Sequence, residues 1–459
     1  MGRKFDYDYI VLGSGAAGNA AARVAASAGL KVALIENKKY GGAGLNTYSV
    51  PYTVGMNFAH NYAKAKDNLK LGLSSVNLRY NYPTAMRWRE ATIRRVREAT
   101  KQHLSGVDYI RGFGHFVGDH EIAVSQEKTL TGAKFLIATG TELAENGISG
   151  LDKVQYLTQD NALDLEKPPQ VVFVAGAGRA GCEIAQYYAE LGSKVLIADI
   201  AARLLPKEDE EVGQVLDYYF NRKLGIKVLT QSRVVMLEED KISKKVIFLR
   251  GGQEKSVRVN AIILATGVKP NFDLGLENAK VKFNQNGIIV DKNLQTNIKH
   301  VWAAGDVVKR SDLLRRQSSI ELASYEGALA AMNMLKRKKT PVNYAGFVEV
   351  INTAPKIASV GMTEDDCIKR DRKYRKVVMP LAATNRAKIE DFYDGFVKIL
   401  VNSQNSILGA TVMAPEADLI IQEVAMAIKH ELTLRQLAET PHPALSWSEL
   451  IKVTAQKIN

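Results

Sequence analysis

Two six-residue stretches carry chemistry that can be read from residue types and spacing alone. Gly13-Ser14-Gly15-Ala16-Ala17-Gly18 follows the apolar run at 7–12, and Gly176-Ala177-Gly178-Arg179-Ala180-Gly181 follows the one at 170–175. Both read G-x-G-x-x-G between a strand pattern and a helix pattern, the context that gives this spacing meaning. The first glycine permits a tight turn, the second lets backbone approach a pyrophosphate, and the third lets helix and strand pack closely. The helix that follows offers unpaired N–H groups and positive potential to the phosphates. An acidic residue closes the next strand in each copy, Glu36 and Asp199, placed to accept hydrogen bonds from a ribose. Asp199 would accept from both ribose hydroxyls and repel a 2′-phosphate. Two such units in one chain imply two bound dinucleotides.

These stretches need strands and helices to position them, and the flanking pattern supplies both. The first unit runs from the strand at 7–12 through an Ala-rich helix that stops at Gly29 to a strand at 31–35. The second runs from 170–175 through a helix reaching Leu191 to a strand at 194–198, with Pro168-Pro169 as connector. From about 341 onward no such unit recurs. Short strands at 347–352, 395–401 and 407–413 precede helices, an α+β layout. At 459 residues the chain is too long for one core, so two or three domains are expected.

Composition is that of a soluble globular protein, with 46% hydrophobic and 24% charged residues. No run approaches the roughly 18 apolar residues of a membrane span, and the start leads into a strand with no apolar signal region. Two cysteines far apart, Cys182 and Cys367, exclude a disulfide framework and fit a reducing cytoplasm, so a cytoplasmic location is expected. Cys182 is expected to be a small buried hydrophobe and Cys367 to lie on a surface helix. Net charge is +13, from 62 Lys plus Arg against 49 Asp plus Glu. Much of the excess is local: Arg87, Arg89, Arg94, Arg95, Arg97 and Lys101 share one helix pattern, 336–339 reads K-R-K-K, and 369–376 reads K-R-D-R-K-Y-R-K. These read as solvated faces, because no nucleic-acid motif accompanies them, and neither nucleic acid nor a membrane surface is expected as partner. No Cys, His and carboxylate spacing suits a metal, so none is expected.

The segment Gly41-Gly42-Ala43-Gly44-Leu45-Asn46-Thr47-Tyr48-Ser49-Val50-Pro51 resembles the redox-active loop of the flavoprotein disulfide reductases, also called the pyridine nucleotide-disulfide oxidoreductases. That loop reads G-G-x-C-x-N-x-G-C-x-P-S-K. The glycine pair, the Asn and the Pro are in register, while Gly44 and Ser49 stand where the family has its cysteines and Thr53 where it has its Lys. The resemblance covers nearly the whole chain. Phe135-Leu136-Ile137-Ala138-Thr139-Gly140 and the A-I-I-L-A-T-G that ends at Gly267 look like the two crossover strands. Thr296 to Gly305-Asp306 matches the fingerprint whose Asp holds the flavin ribityl chain, and Ile357 to Thr363 matches the start of the dimerisation domain.

The resemblance implies a glutathione-reductase type α/β fold: two Rossmann-like dinucleotide-binding domains plus a C-terminal α+β dimerisation domain. The expected boundaries are 1–147 for the first part of an FAD domain, 148–267 for an NAD domain, 268–340 for the second part of the FAD domain, and 341–459 for dimerisation. It implies that FAD is held by Gly13, Gly15, Ala16, Ala17, Gly18, Glu36, Gly42, Ala43, Gly114, Ala138, Thr139, Gly140, Gly305 and Asp306. The nicotinamide nucleotide falls to Gly176, Gly178, Gly181, Asp199 and Gly267, and Asp199 favours NADH over NADPH. A homodimer is expected.

Three departures bear on chemistry. A disulfide reductase needs a thiolate, and neither Gly44 nor Ser49 supplies one. Glu183 matches the carboxylate that pairs with the family's loop Lys, and that Lys is Thr53. Arg179, four residues before Glu183 on one helix, either replaces the lost positive charge or is an exposed arginine with no flavin role. His442 matches the family's acid–base His, but its fifth following residue is Trp447 instead of Glu, with Glu449 two further on. This spacing looks like the tail of mercuric reductase, which lacks the His–Glu pair. His442 is either a proton donor or a structural residue at the dimer interface.

The expected function is FAD-dependent oxidation of NADH without a dithiol relay. Hydride would pass from NADH to FAD and electrons directly to a small acceptor such as a quinone, in a space lined by Tyr48 and Ser49, with His442, Glu183 and Arg179 as the candidate catalytic residues. A soluble pyridine nucleotide transhydrogenase is the alternative within the family, and Asp199 argues against it. A non-catalytic flavin-binding scaffold is the alternative outside enzymology, and the intact fingerprints argue against an empty site.

Overall fold

Apolar runs bounded by glycine turns become parallel strands buried on both faces. In the strand Tyr7–Leu12 the last four residues are buried, and the helix Ala16–Ser27 lays its alanines flat on the sheet. The computed structural model describes residues 5–68, 71–72, 78–126, 128–144, 147–241, 243–309 and 319–457. The first sheet orders its parallel strands Val107–Arg111, Val32–Glu36, Tyr7–Leu12, Lys128–Ile137 and Val301–Ala303. An antiparallel ribbon, His115–Gly118 and Glu121–Ser125, continues from Lys128–Ile137. The last parallel strand arrives from far along the chain, pairing Val301 with Phe135.

Between those partners the chain builds a second parallel sheet in the order Lys227–Leu229, Lys194–Ala198, Val171–Ala175, Ala261–Leu264 and Leu157–Thr158. A three-stranded antiparallel ribbon, Ser232–Glu239, Lys244–Arg250 and Gln253–Val259, accompanies it. The third sheet is antiparallel, in the order Val348–Ile351, Lys356–Gly361, Ile407–Ala414, Phe396–Val401 and Arg375–Pro380. The helices Ala417–Lys429 and Glu449–Ala455 share its core. The helix Ile320–Leu335 closes the first sheet against Ala16–Ser27. The approach is tight enough that a Cβ on Gly327 would lie 2.0 Å from the Ala17 carbonyl oxygen.

Three local expectations change. The segment from Gly41 onward is largely helical: Gly42–Asn46 forms a short helix and Ser49–Asn68 a long one. Arg89 is turned inward from the basic helix Tyr82–Gln102, donating to the Leu163 carbonyl at 2.7 Å and pairing with Asp164 at 2.6 Å. Its charge therefore serves packing and not the basic surface. Cys367 does lie on a helix, Glu364–Lys369, but its thiol faces inward and is fully buried. Among the described residues no helix is long and apolar enough to cross a membrane.

Pattern reading gave no sign of the charge cluster that welds the third sheet to the second dinucleotide unit. Lys398, with a side chain 1% exposed, reaches Glu211 at 2.8 Å, Asp209 at 3.5 Å and also Glu364. Burial pushes its pKa down, but hydrogen bonds to Glu211 and Glu364 more than offset this and hold it above the ordinary lysine range.

Candidate active site

The carboxyl ends of the central strands Tyr7–Leu12 and Val171–Ala175 open onto one continuous cleft of about 780 Å³, lined from both dinucleotide units. Strand order reverses about each of these strands, which is where open α/β sheets place ligands. The two glycine stretches have the same local design. Gly13 (φ +96°) and Gly176 (φ +105°) take the left-handed turn. A Cβ on Gly18 would meet the Gly13 carbonyl oxygen at 1.8 Å, and one on Gly181 would meet that of Gly176 at 1.8 Å. The middle glycines differ in kind: a Cβ on Gly15 or Gly178 would meet nothing within 4 Å. Each middle glycine thus leaves an open face at a helix N-terminus, which fits a phosphate-bearing cofactor.

The acidic residues brace these loops. Glu36 accepts from the Ser14 amide (2.9 Å) and hydroxyl (2.8 Å) through one oxygen and from the Lys38 amide (2.8 Å) through the other. Asp199 accepts from the amides of Ala177 (2.5 Å) and Ala201 (2.8 Å). Glu36 lines the cleft, and Asp199, half-buried at the end of its strand, braces the second loop.

The other residues expected around FAD converge on the same space. Ala16, Ala17, Gly42, Ala43, Gly114, Ala138, Thr139, Gly140, Gly305 and Asp306 all line the cleft, as does Gly267 of the second unit. Gly42 packs so closely that a Cβ there would lie 2.7 Å from the Gly15 Cα. The Gly305–Asp306 turn has a support that sequence reasoning missed. Glu326, fully buried, accepts from the Gly305 amide at 2.8 Å and from the Tyr344 hydroxyl at 2.8 Å.

On the side of the second unit, Glu183 is 1% exposed and sits behind the wall. Its Oε1 accepts from the Asn352 amide (2.7 Å) and side-chain amide (3.2 Å), and its Oε2 from the Tyr48 hydroxyl (3.4 Å). Arg179, which lines the cleft, places Nε 3.7 Å from Glu183 Oε1 and its guanidinium 5.4 Å from the centre of the Tyr48 ring. Burial holds the Tyr48 phenol well above its ordinary pKa, with Arg179 opposing and Glu183 reinforcing the shift. Thr53, by contrast, is exposed on the outer face of its helix.

A sequence profile described as "Pyridine nucleotide-disulphide oxidoreductase" matches residues 7–327, and one for that family's dimerisation domain matches 348–455. The chain belongs to this family. Mercuric reductase of Bacillus cereus is 31% identical over 98% of this chain and 71% of its own length. Dihydrolipoyl dehydrogenase of Bacillus subtilis is 28% identical over 98% of this chain and 96% of its own. Among solved structures, the HOCl-induced flavoprotein disulfide reductase RclA of Escherichia coli superposes with a TM-score of 0.86 at 23% identity, covering 99% of this chain and all of that one. LpdA of Mycobacterium tuberculosis gives 0.87 at 24%, over 98% and 99%. At those identities the two structures establish the fold. The family binds FAD and NAD(P)H.

Gly44 and Ser49 both line the cleft. A Cβ on Gly44 would meet the Ile320 side chain at 2.8 Å, so Ile320 occupies the room a larger residue would need there. The two cysteines lie elsewhere. Cys182 is fully buried with its sulfur 3.4 Å from the Ala177 carbonyl, and Cys367 packs 4.0 Å from the Met362 sulfur. Burial raises the pKa of both thiols, that of Cys367 to about 11.

His442 stands apart from the cleft within this chain. It does have a carboxylate partner, which the tail spacing gave no reason to expect: Nε2 lies 2.8 Å from Glu423 Oε2 and Nδ1 2.8 Å from the Thr440 carbonyl. Glu449 is occupied elsewhere, accepting from the Leu445 amide at 3.1 Å. The partner comes from the helix Ala417–Lys429, so no spacing within the tail could reveal it.

Proposed function

We propose that the protein is an FAD-dependent NADH oxidoreductase that passes electrons directly to a small acceptor such as a quinone, without a dithiol relay, and that it works as a homodimer through residues 348–455. The observation that carries this reading is the placement of thiols: Gly44 and Ser49 line the cleft, while both cysteines are buried outside it. FAD, when bound, accepts hydride from NADH and releases electrons singly or in pairs. Gly15 and the helix start behind it hold the pyrophosphate, Glu36 a ribose, and Asp306 the ribityl hydroxyls. Gly178 and Asp199 hold the second dinucleotide, and Asp199 disfavours a 2′-phosphate by charge. Arg179 balances the Glu183 carboxylate beside the cleft. Tyr48 presents the buried phenol nearest that pair, and an acceptor in the space beside Ser49 meets Tyr48 and Arg179 instead of a thiolate.

The test is spectroscopic. Purified protein should carry a flavin spectrum that anaerobic NADH bleaches faster than equal NADPH, and a quinone should restore it. No long-wavelength thiolate band sensitive to alkylation should appear on reduction, and lipoamide, glutathione disulfide and mercuric ion should be turned over negligibly. Flavin that stays oxidised under NADH would make the protein a scaffold. Faster bleaching by NADPH, or rapid exchange of hydride between the two nucleotides, would favour the transhydrogenase.

A further inference from the structure

His60 lies at the point where the helix Ser49–Asn68, the helix Arg179–Glu190 and the segment after the strand Val348–Ile351 meet. Its Nδ1 is 2.6 Å from Glu190 Oε2 and its Nε2 is 3.1 Å from the Asn352 carbonyl oxygen, with side chains 23% and 3% exposed for His60 and Glu190. A backbone carbonyl can only accept, and so can a carboxylate. A neutral imidazole has one N–H and could satisfy only one of these two neighbours. Both contacts are made when the ring is an imidazolium donating from both nitrogens.

The partners of that imidazolium continue into the cleft wall. Glu190 Oε1 accepts from Gln186 Nε2 at 2.7 Å, and Gln186 also clasps the Ala354 backbone, receiving its amide at 3.0 Å and donating to its carbonyl at 3.1 Å. Asn352, gripped at its carbonyl by His60, holds Glu183 with its amide and side chain. Glu183, Gln186 and Glu190 lie along one face of a single helix, at spacings of three and four. The chain of contacts therefore runs from His60 through Asn352 to Glu183, and from Glu183 to Tyr48 and Arg179 in the cleft.

We propose that His60, as an imidazolium, is a positioning residue that pins Asn352 on Glu183 and so sets the carboxylate beside the cleft, and that loss of its proton releases the 352–354 segment. For its consequence in catalysis this rests on the proposed function; for the junction itself it rests on the geometry. Burial pushes the His60 pKa down. The Glu190 hydrogen bond and charge, with the Asn352 carbonyl, more than offset that and raise it above its ordinary value of 6.5. The charged groups facing it are Glu190 from one side and, opposing, Lys356 of the strand Lys356–Gly361, which is itself paired with Asp418 at 2.8 Å. Because the folded pKa is raised, the grip is complete below pH 6.5 and is lost as pH rises through the folded value.

The experiment uses the FAD-loaded protein. The His60 ring is titrated by NMR, hydrogen exchange of the Asn352 and Ala354 amides is followed across that pH range after correction for intrinsic rates, and flavin reduction by NADH is timed by stopped flow. In the wild type, ring titration above pH 6.5, a several-fold rise in exchange and a several-fold fall in the reduction rate should share one midpoint. His60→Gln should show raised exchange throughout with no step, and Glu190→Gln should move the step to lower pH while the protein stays folded. A ring that titrates at or below its ordinary value, amide protection indifferent to His60, or a reduction rate that ignores the exchange step overturns the inference. Flavin that NADH does not reduce at any pH refutes the proposed function instead, and the exchange arm alone then decides the role of His60.

Discussion

Replacing Arg179 by alanine removes the cation nearest the buried Glu183. At their 3.7 Å separation, with side chains 15% and 1% exposed, a unit-charge pair is worth about 4 kcal/mol at an effective dielectric constant near 20. Not all of that is lost in the variant. The Asn352 amide at 2.7 Å, its side chain at 3.2 Å and the Tyr48 hydroxyl at 3.4 Å remain on the carboxylate. They stand in for the missing charge, so the uncompensated part should be about 1–2 kcal/mol, below the roughly 3–5 kcal/mol of a buried ion stranded outright. A carboxylate left under-neutralised disfavours the anionic reduced flavin, and for a two-electron couple that range corresponds to a fall in midpoint potential of about 20–45 mV. Potentiometry on wild type, Arg179→Ala, Glu183→Gln and the double variant closes the cycle. The double variant should regain part of the loss, the mark of a coupled pair. An unchanged potential in Arg179→Ala, or effects that add within about 0.5 kcal/mol, would refute the coupling and leave Arg179 as a gate on nucleotide affinity alone.

Asp306→Ala should purify with much less flavin per chain than wild type, and equal flavin absorbance per chain would contradict its role. Gly15→Ala should keep the thermal midpoint of the apo protein while losing flavin, because its Cβ meets no protein atom. Gly327→Ala should do the reverse, losing about 1–3 kcal/mol by calorimetry as two helices are forced apart. Lys398→Met removes the buried cation from Asp209, Glu211 and Glu364, but Lys376 keeps its pairs with Glu211 (3.3 Å) and Glu364 (3.0 Å), and Asp209 keeps the Glu364 amide (3.0 Å). The loss near neutral pH should therefore fall below the roughly 3–5 kcal/mol of a buried charge left wholly unpaired. Burial pushes Glu211 and Glu364 up, yet hydrogen bonds from Lys398 hold both below the usual 4.5. Their stabilisation is therefore full above that value and lost as pH falls through the lowered one, and Lys398 keeps its share until pH climbs past about its ordinary 10.5. Melting profiles across pH should show a steeper acid-side decline in the wild type than in the variant, where Lys376 still pairs with both glutamates.

What sequence could reveal here follows from the range over which each interaction acts. The glycine stretches, their flanking strands and the acidic residues Glu36 and Asp199 lie within two βαβ units, where turn sterics and hydrophobic period fix the outcome locally. The i, i+4 spacing was enough to bring Arg179 near Glu183. The groups that hold Glu183 were out of reach. Asn352 is 169 positions away and Tyr48 135, and neither carries a pattern that points at a carboxylate. His442 with Glu423 failed for a subtler reason: the expected partner was sought along the tail, while a neighbouring helix supplied one. Lys398 sits in an apolar strand run, and nothing in that run points to the three carboxylates that make burial tolerable for a lysine.

The pairing of Val301 with Phe135 has a consequence for how the chain comes to be folded. On a ribosome the strands Tyr7–Leu12, Val32–Glu36 and Lys128–Ile137 emerge early, but their sheet keeps an open parallel edge until residues 301–303 arrive and the helix Ile320–Leu335 closes over Ala16–Ser27. The second parallel sheet, with all its strands between Leu157 and Leu264, can complete itself meanwhile. Synthesis at about 5–20 residues per second would leave that edge unpaired for roughly 8–35 seconds. During that interval the chain depends on the inserted sheet folding promptly and on the exposed edge finding no other strand, so truncations ending before residue 301 should aggregate while those ending after the helix should not.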